Sequence, residues 1–154
     1  MATYLVINGP NLNALGKRDP ELYGSLTLAE IETRVREKAK ELGVDVEFFQ
    51  SNHEGALIDY LQQHAGRARG IVINGGALTH YGLSVRDALG DTRVPFVEVH
   101  LSNIYAREDW RQKSVTAPLS VGVITGLGWQ GYLFALEFLV HRTKETDGER
   151  ENVR

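Results

Sequence analysis

Leu5-Val6-Ile7 and Ile71-Val72-Ile73 are uninterrupted apolar runs bounded by turn formers, and they restrict this chain more than any other feature. A strand with one wet face alternates apolar and polar residues. A strand without alternation is covered on both faces, as in a parallel sheet layered by helices. β-rich runs fall at Tyr4 to Asn8, Val44 to Gln50, Gly70 to Asn74, Phe96 to His100 and Val121 to Thr125, each with room for a helix after it. The alternation predicts an α/β domain. By analogy with doubly wound folds, five βα units give a flavodoxin-like three-layer arrangement with a five-stranded parallel sheet of order 2-1-3-4-5.

Leu28, Ile31, Val35, Ala39 and Leu42 recur at helical spacing, opened by Thr27 with Glu30 three residues on and closed by Gly43. That is a capping box with a glycine stop. Ser51 and Glu54 repeat the box ahead of Leu57, Ile58 and Leu61. A shorter third helix includes Ser84 to Leu89, a fourth surrounds Arg107 to Lys113, and a fifth runs from about Trp129 to Lys144. From Thr146 onward the chain is polar with little to bury, so 146–154 reads as a mobile tail beyond a single domain of 1–145.

Composition mainly excludes. A chain of 154 residues suits one core. A net charge of −3 carries no polyanion-binding signature, and the absence of cysteine removes disulfides, thiolate metal sites and a thiol nucleophile. Gly9 and Pro10 come too early for a signal segment, and no run of about 18 apolar residues exists, so a cytoplasmic location is expected.

In an open parallel sheet the ligand sits beyond the carboxyl ends of the strands, where the helices change face. Those ends carry Asn8-Gly9-Pro10-Asn11, then Asn74-Gly75-Gly76 with Thr79-His80, then Glu98-Val99-His100-Leu101-Ser102-Asn103. Asn, Gly and Pro form ordinary turns. Two histidines, two amides and a serine at adjoining ends exceed what turn closure needs. Glu98 and His100 are two apart on a strand and share a face, so the carboxylate either orients the imidazole or pairs with a helix arginine. The stretch from Asn11 to Leu26 lacks a clear element and reads as a lid carrying Arg18 and Tyr23.

Several familiar signals fail on context. Gly126-Leu127-Gly128-Trp129-Gln130-Gly131 matches G-x-G-x-x-G after a strand, yet no further strand follows to complete a dinucleotide unit. A tight turn with close helix packing explains it better. A phosphoacceptor receiver would need acidic residues after the first strand and a lysine after the fifth, where Asn8-Gly9 and Thr125-Gly126 stand. His53, His64, His80, His100 and His141 are scattered without metal-ligand spacing. Gly82-Leu83-Ser84-Val85-Arg86 lacks the last glycine of a nucleophile elbow, and no lysine lies in a buried strand where it could form a Schiff base. Acid–base chemistry without metal or cofactor is the expectation.

The same residues resemble the type II dehydroquinases. Asn8-Gly9-Pro10-Asn11-Leu12 with Arg18, Tyr23 and Gly24 is similar to the family's opening motif, and Asn74-Gly75-Gly76-Ala77-Leu78-Thr79-His80 with Arg86-Asp87-Ala88 to its second. Glu98 to Asn103 with Ala106-Arg107-Glu108 and Arg111 resembles the third, and Gly122-Val123-Ile124 with Gly126 to Tyr132 the fourth. The resemblance extends from about Tyr4 to Leu139, and departs at Tyr81-Gly82, where small hydroxyl residues are usual.

The resemblance implies the shikimate-pathway reaction, 3-dehydroquinate to 3-dehydroshikimate and water, by anti elimination through an enolate. Tyr23 would be the base; an unperturbed phenol of pKa about 10 is only about 0.1% ionised at pH 7, and Arg18 would supply the charge that favours phenolate. Asn11 and the Pro10 region would hold a water at the enolate. His100 would protonate the departing hydroxyl, with Glu98 as its partner. Asn74, His80, Asp87 and Arg111 would hold ring hydroxyls, while Ser102 and the amides of Leu101 and Ser102 would take the carboxylate. The resemblance also allows Asp87 to serve a neighbouring subunit, in a homododecamer of four trimers. No membrane or nucleic-acid partner is expected. The competing class is a noncatalytic module binding a flavin or a protein in the same crevice, which an absorption spectrum distinguishes.

Overall fold

Strands β1 (Thr3–Asn8), β2 (Asp45–Gln50), β3 (Ala68–Asn74), β4 (Phe96–His100) and β5 (Gly122–Thr125) form one parallel sheet of order β2-β1-β3-β4-β5, as expected. Five α-helices accompany it: α1 (Pro20–Tyr23), α2 (Leu28–Leu42), α3 (Glu54–His64), α4 (Leu83–Thr92) and α5 (Gln130–Asn152). This computed structural model describes residues 1–153, so Arg154 of the expected tail lies outside the described residues.

Successive strand side chains point to opposite faces, and both faces are covered. Tyr4, Val6 and Val72 enter a core with Ile31, Val35 and Ala39 of α2 and Ala135, Leu136 and Leu139 of α5. Leu5, Ile7, Ile71 and Ile73 enter a second core with Leu57 and Leu61 of α3 and Val85 and Leu89 of α4. Neither parity of residue meets water, which is why the runs lack polar alternation. The chain leaves β1 for α2 on one face and β3 for α4 on the other, so the switch point lies between these two strands.

The first capping box forms as expected: Glu30 N–H donates to Thr27 Oγ1 at 3.1 Å, and the Glu30 carboxylate reaches back to the Thr27 N–H. The second does not. His53 occupies the N-cap of α3, Ser51 Oγ accepts the His53 N–H at 3.0 Å, and Glu54 turns outward. Its carboxylate accepts the Val85 N–H of α4 at 3.0 Å. The reason lies in α4, whose N-cap is Gly82 and offers no side chain. A Cβ at Gly82 would sit 2.7 Å from the Leu78 carbonyl oxygen, so the orphan N–H takes its acceptor from a neighbouring helix.

Two other expectations are corrected. The stretch around Arg107 to Lys113 holds a 3₁₀ turn at Asp109–Arg111, preceded by another at Ile104–Ala106, instead of a fourth α-helix. The segment is pinned at both flanks to residues at or beyond other strands' ends: Ile104 N–H donates to Thr125 Oγ1, and Val115 N–H to the Thr79 carbonyl. The fifth helix, expected to end near Lys144, continues through Asn152. Asp147 pairs with Arg69 at 2.7 Å and Tyr4 OH donates to Thr143 Oγ1, so the last turns of α5 have partners that composition does not reveal. The glycine-rich turn before α5 packs closely, with a Cβ at Gly131 falling 3.2 Å from Ile124 Cγ2, as the tight-turn reading requires.

Candidate active site

The polar strand ends converge. β1 and β3 run past the sheet as a pair, with Gly9 N–H donating to the Asn74 carbonyl at 2.8 Å. A Cβ at Gly9 would lie 2.4 Å from Gly75 O, so only glycine lets the two turns approach this closely. Asn11 follows in the left-handed conformation, φ 70°, and its N–H donates to Asn52 Oδ1 at 2.9 Å. One pocket opens there, walled by Pro10, Asn11 and Leu12 after β1, Asn74, Gly76, Ala77 and His80 after β3, and His100, Leu101 and Ser102 at the end of β4. Arg18, Tyr23, Ile104, Arg107 and Arg111 complete the lining.

Every residue expected at the site lines this pocket except two. Glu98 lies beneath it, 1% exposed and bonded to His100. Asp87 is exposed on α4, paired with Arg86 at 3.6 Å, and the pocket of a single chain does not include it. The helix presents it outward.

Glu98 chooses the imidazole rather than a helix arginine. His100 Nε2–H donates to Glu98 Oε2 at 2.9 Å, while Ser114 Oγ donates to Oε1 at 2.8 Å and Thr116 Oγ1 donates to the same oxygen. Burial pushes the Glu98 carboxyl up; the bonds from His100 and Thr116, the His100 charge and the Ser114 bond outweigh it and hold the group below its ordinary range. An ionised carboxylate only accepts, so Nε2 of His100 carries hydrogen toward it.

His80 differs. Its Nδ1 donates to the Lys113 carbonyl at 2.8 Å, and its ring lies 6.2 Å from that of His100 and edge-on to Trp110. Burial pushes its pKa below the ordinary histidine value, opposed by the Lys113 bond and helped by the charges of His100 and Arg111. The neutral ring then offers Nε2 as an acceptor.

On the lid, Pro20 starts α1 at its first turn and Tyr23 ends it. Arg18 Nη2 donates to the Tyr23 hydroxyl at 3.3 Å, with the guanidinium carbon 4.4 Å from the ring centroid. Arg107 approaches the same ring at 5.2 Å and donates to Ser102 Oγ at 3.1 Å. Arg111 is held by Glu108 at 2.6 Å. Three guanidinium groups around one pocket match an anionic ligand.

Sequence reasoning gave Arg107 no role and missed Ser114 and Thr116 altogether. A Ser-x-Thr pair ahead of Pro118 was the only available signal, and nothing in its spacing points to Glu98.

The fold and the pocket define an α/β protein whose switch point is furnished for proton transfer on an anion. The family described as dehydroquinase class II matches residues 2–140. A 3-dehydroquinate dehydratase of Herpetosiphon aurantiacus is 57% identical over 138 residues, 90% of this chain and 96% of that relative. A catabolic 3-dehydroquinase of Podospora anserina is 50% identical over 153 residues, covering 91% of this chain and 94% of the relative. The crystal structure of the type II dehydroquinase from Propionibacterium acnes superposes with a TM-score of 0.88 at 41% identity, covering 92% of this chain and 97% of that one. The chain belongs to the class II dehydroquinase family.

Proposed function

We infer that this chain is a 3-dehydroquinate dehydratase, a hydro-lyase of the shikimate pathway that forms 3-dehydroshikimate by anti elimination through an enolate. The observation that carries the mechanism is one pocket with Arg18–Tyr23 on its lid and His100, backed by the buried Glu98, at its sheet edge.

Tyr23 takes the proton next to the ketone as the base, and the C–H electron pair becomes the enolate double bond. Arg18 puts positive charge beside the Tyr23 oxygen, and Arg107 adds charge over the ring. A water held by Asn11 and the Pro10 turn donates to the enolate oxygen. Collapse of the enolate breaks the C–OH bond, His100 delivers its proton to that oxygen, and water leaves. Asn74, His80 and Arg111 hold ring hydroxyls, and Ser102 with the Leu101 and Ser102 amides takes the carboxylate. Tyr23 gains the proton taken from carbon, His100 gives one to the departing hydroxyl, and the electron pair leaves with the C–O bond, so the elimination balances without an oxidant or reductant.

Asp87 serves the pocket of a neighbouring subunit, and the enzyme works as a homododecamer of four trimers. Support comes from the outward position of Asp87 and from exposed Val121, Val123 and Phe138, which share one groove. Light scattering at the monomer mass in an active sample would rule this assembly out. The described helices include none long and apolar enough to cross a membrane, and we place the enzyme in the cytoplasm.

Mixing the purified protein with 3-dehydroquinate and following ultraviolet absorbance of the conjugated enone tests the activity. Steady formation of enone by a colourless protein is expected. A yellow, flavin-loaded protein that leaves the substrate unchanged would sink this reading.

A further inference from the structure

Asn8 and Asn74 end β1 and β3, are partners in register, and continue the strand columns whose apolar members Tyr4, Val6 and Val72 pack in the α2/α5 core. Both are almost wholly buried. The residue that meets them is Tyr132, in the first turn of α5. Its hydroxyl donates to Asn8 Oδ1 at 2.5 Å and accepts from Asn74 Nδ2 at 3.0 Å. Asn74 Oδ1 in turn accepts the Gly76 N–H at 3.1 Å.

With Asn8 Oδ1 toward the phenol, the direction of this chain follows. A phenol has one hydrogen and an amide oxygen has none, so the Tyr132 hydrogen goes to Asn8 and only an acceptor remains for Asn74. Burial pushes the Tyr132 phenol far up, so it keeps that hydrogen at neutral pH. Asn8 Nδ2 has no partner among the described residues, so the phenol hydrogen alone engages that amide. If Asn74 turned over, its oxygen would face a phenol oxygen with no hydrogen left, and its nitrogen would face the Gly76 N–H. Both contacts would be repulsive.

We propose that Tyr132 is a positioning residue that locks the Asn74 amide in one orientation, so that the substrate always meets the same remaining N–H and the same remaining lone pair. The proposal rests on Asn74 being a substrate-binding residue, as read above. Tyr132 is not part of the pocket lining. It acts from α5, through one hydroxyl, on the binding of a substrate oxygen at the sheet edge.

The test is a double-mutant cycle in the full-length enzyme with 3-dehydroquinate, reading kcat and KM separately. Tyr132→Phe keeps the ring and should raise KM about three- to tenfold, the worth of one hydrogen bond, with kcat changed by less than about twofold. In an Asn74→Ala background the same substitution should change kcat/KM by less than about twofold, because the amide it orients is gone. Asn8→Ala, outside the pocket, frees the phenol hydrogen and should raise KM in the same direction; it decides the matter if Tyr132→Phe fails to fold. A raised KM in Asn74→Ala with wild-type KM in folded Tyr132→Phe, or effects that simply multiply, would overturn the lock alone. A wild-type KM in Asn74→Ala would overturn both the assignment of Asn74 and the lock.

Discussion

The two halves of the pocket are built differently. Glu98–His100 sits at the end of a central strand, 1% and 5% exposed, with both carboxylate oxygens partnered. Arg18–Tyr23 sits on the lid, joined by a single hydrogen bond of 3.3 Å and a stacked guanidinium. The acid is preorganised by the fold itself. The base is assembled by a loop, so its geometry depends on one arginine and on closure over the substrate.

The lid half should fail most sharply. Tyr23→Phe should lower kcat by about 10²- to 10⁴-fold with little change in KM, since the hydroxyl moves a proton and does not hold the ring. Arg18→Ala should add little to that loss in the double variant, because no phenolate is left for it to assist. Turnover close to wild type in Tyr23→Phe would move the base elsewhere and remove the contrast.

The sheet half should lose activity by displacement. Glu98→Gln keeps one acceptor for His100 but turns an amide N–H₂ toward Ser114 or the imidazole, and should lower kcat by about 10²-fold, the cost of a misplaced catalytic group. Kinetics with unchanged thermal stability would separate this from unfolding.

Thr116→Val is milder and sharpens the comparison through pH. Glu98 is held below its ordinary range because its hydrogen bonds outweigh burial. A carboxyl depressed in the folded state contributes stability above its unfolded pKa of about 4.3 and loses it as pH falls through the lower folded value. Removing one donor should shift the acid limbs of both kcat and stability to higher pH, with about tenfold or less lost at neutral pH. Depressed His80 adds the same sign in its own window, its contribution present above about 6.5 and lost as acid protonates it. Acid melts unchanged by Thr116→Val would show that the hydroxyl is not what holds Glu98 ionised.

The smallest expected effect lies outside both halves. Glu54→Ala removes the acceptor of the Val85 N–H and should cost about 1 kcal/mol in denaturant melts, with kcat unaltered. No change would mean that water caps α4 equally well.

Much of this was legible in residue order because strands report their surroundings directly. The unbroken apolar runs gave the doubly covered sheet, and the two-residue spacing of Glu98 and His100 put them on one face. Asn74, His80 and Ser102 were legible because a parallel sheet gathers strand ends. What stayed hidden depends on contacts between distant segments. Thr116 meets Glu98 across 18 positions, along an irregular path held by backbone bonds. Arg69 meets Asp147 across 78 positions, so a polar sequence continues as helix where composition alone implied a loose end. Asp87 was named for the site, its own or a neighbouring subunit's, by its motif, and its helix turns it outward, away from the pocket of a single chain.

The position of α5 in the fold has a consequence for how the site is coupled to the core. Its residues Tyr132, Ala135, Leu136, Leu139 and Val140 share with α2 the cover of one face of the sheet. Without α5, Tyr4, Val6 and Val72 would keep only part of that cover, and exposed apolar strand surface of this kind favours aggregation. Docking of the same helix that seals the apolar face also sets Tyr132 against the strand ends.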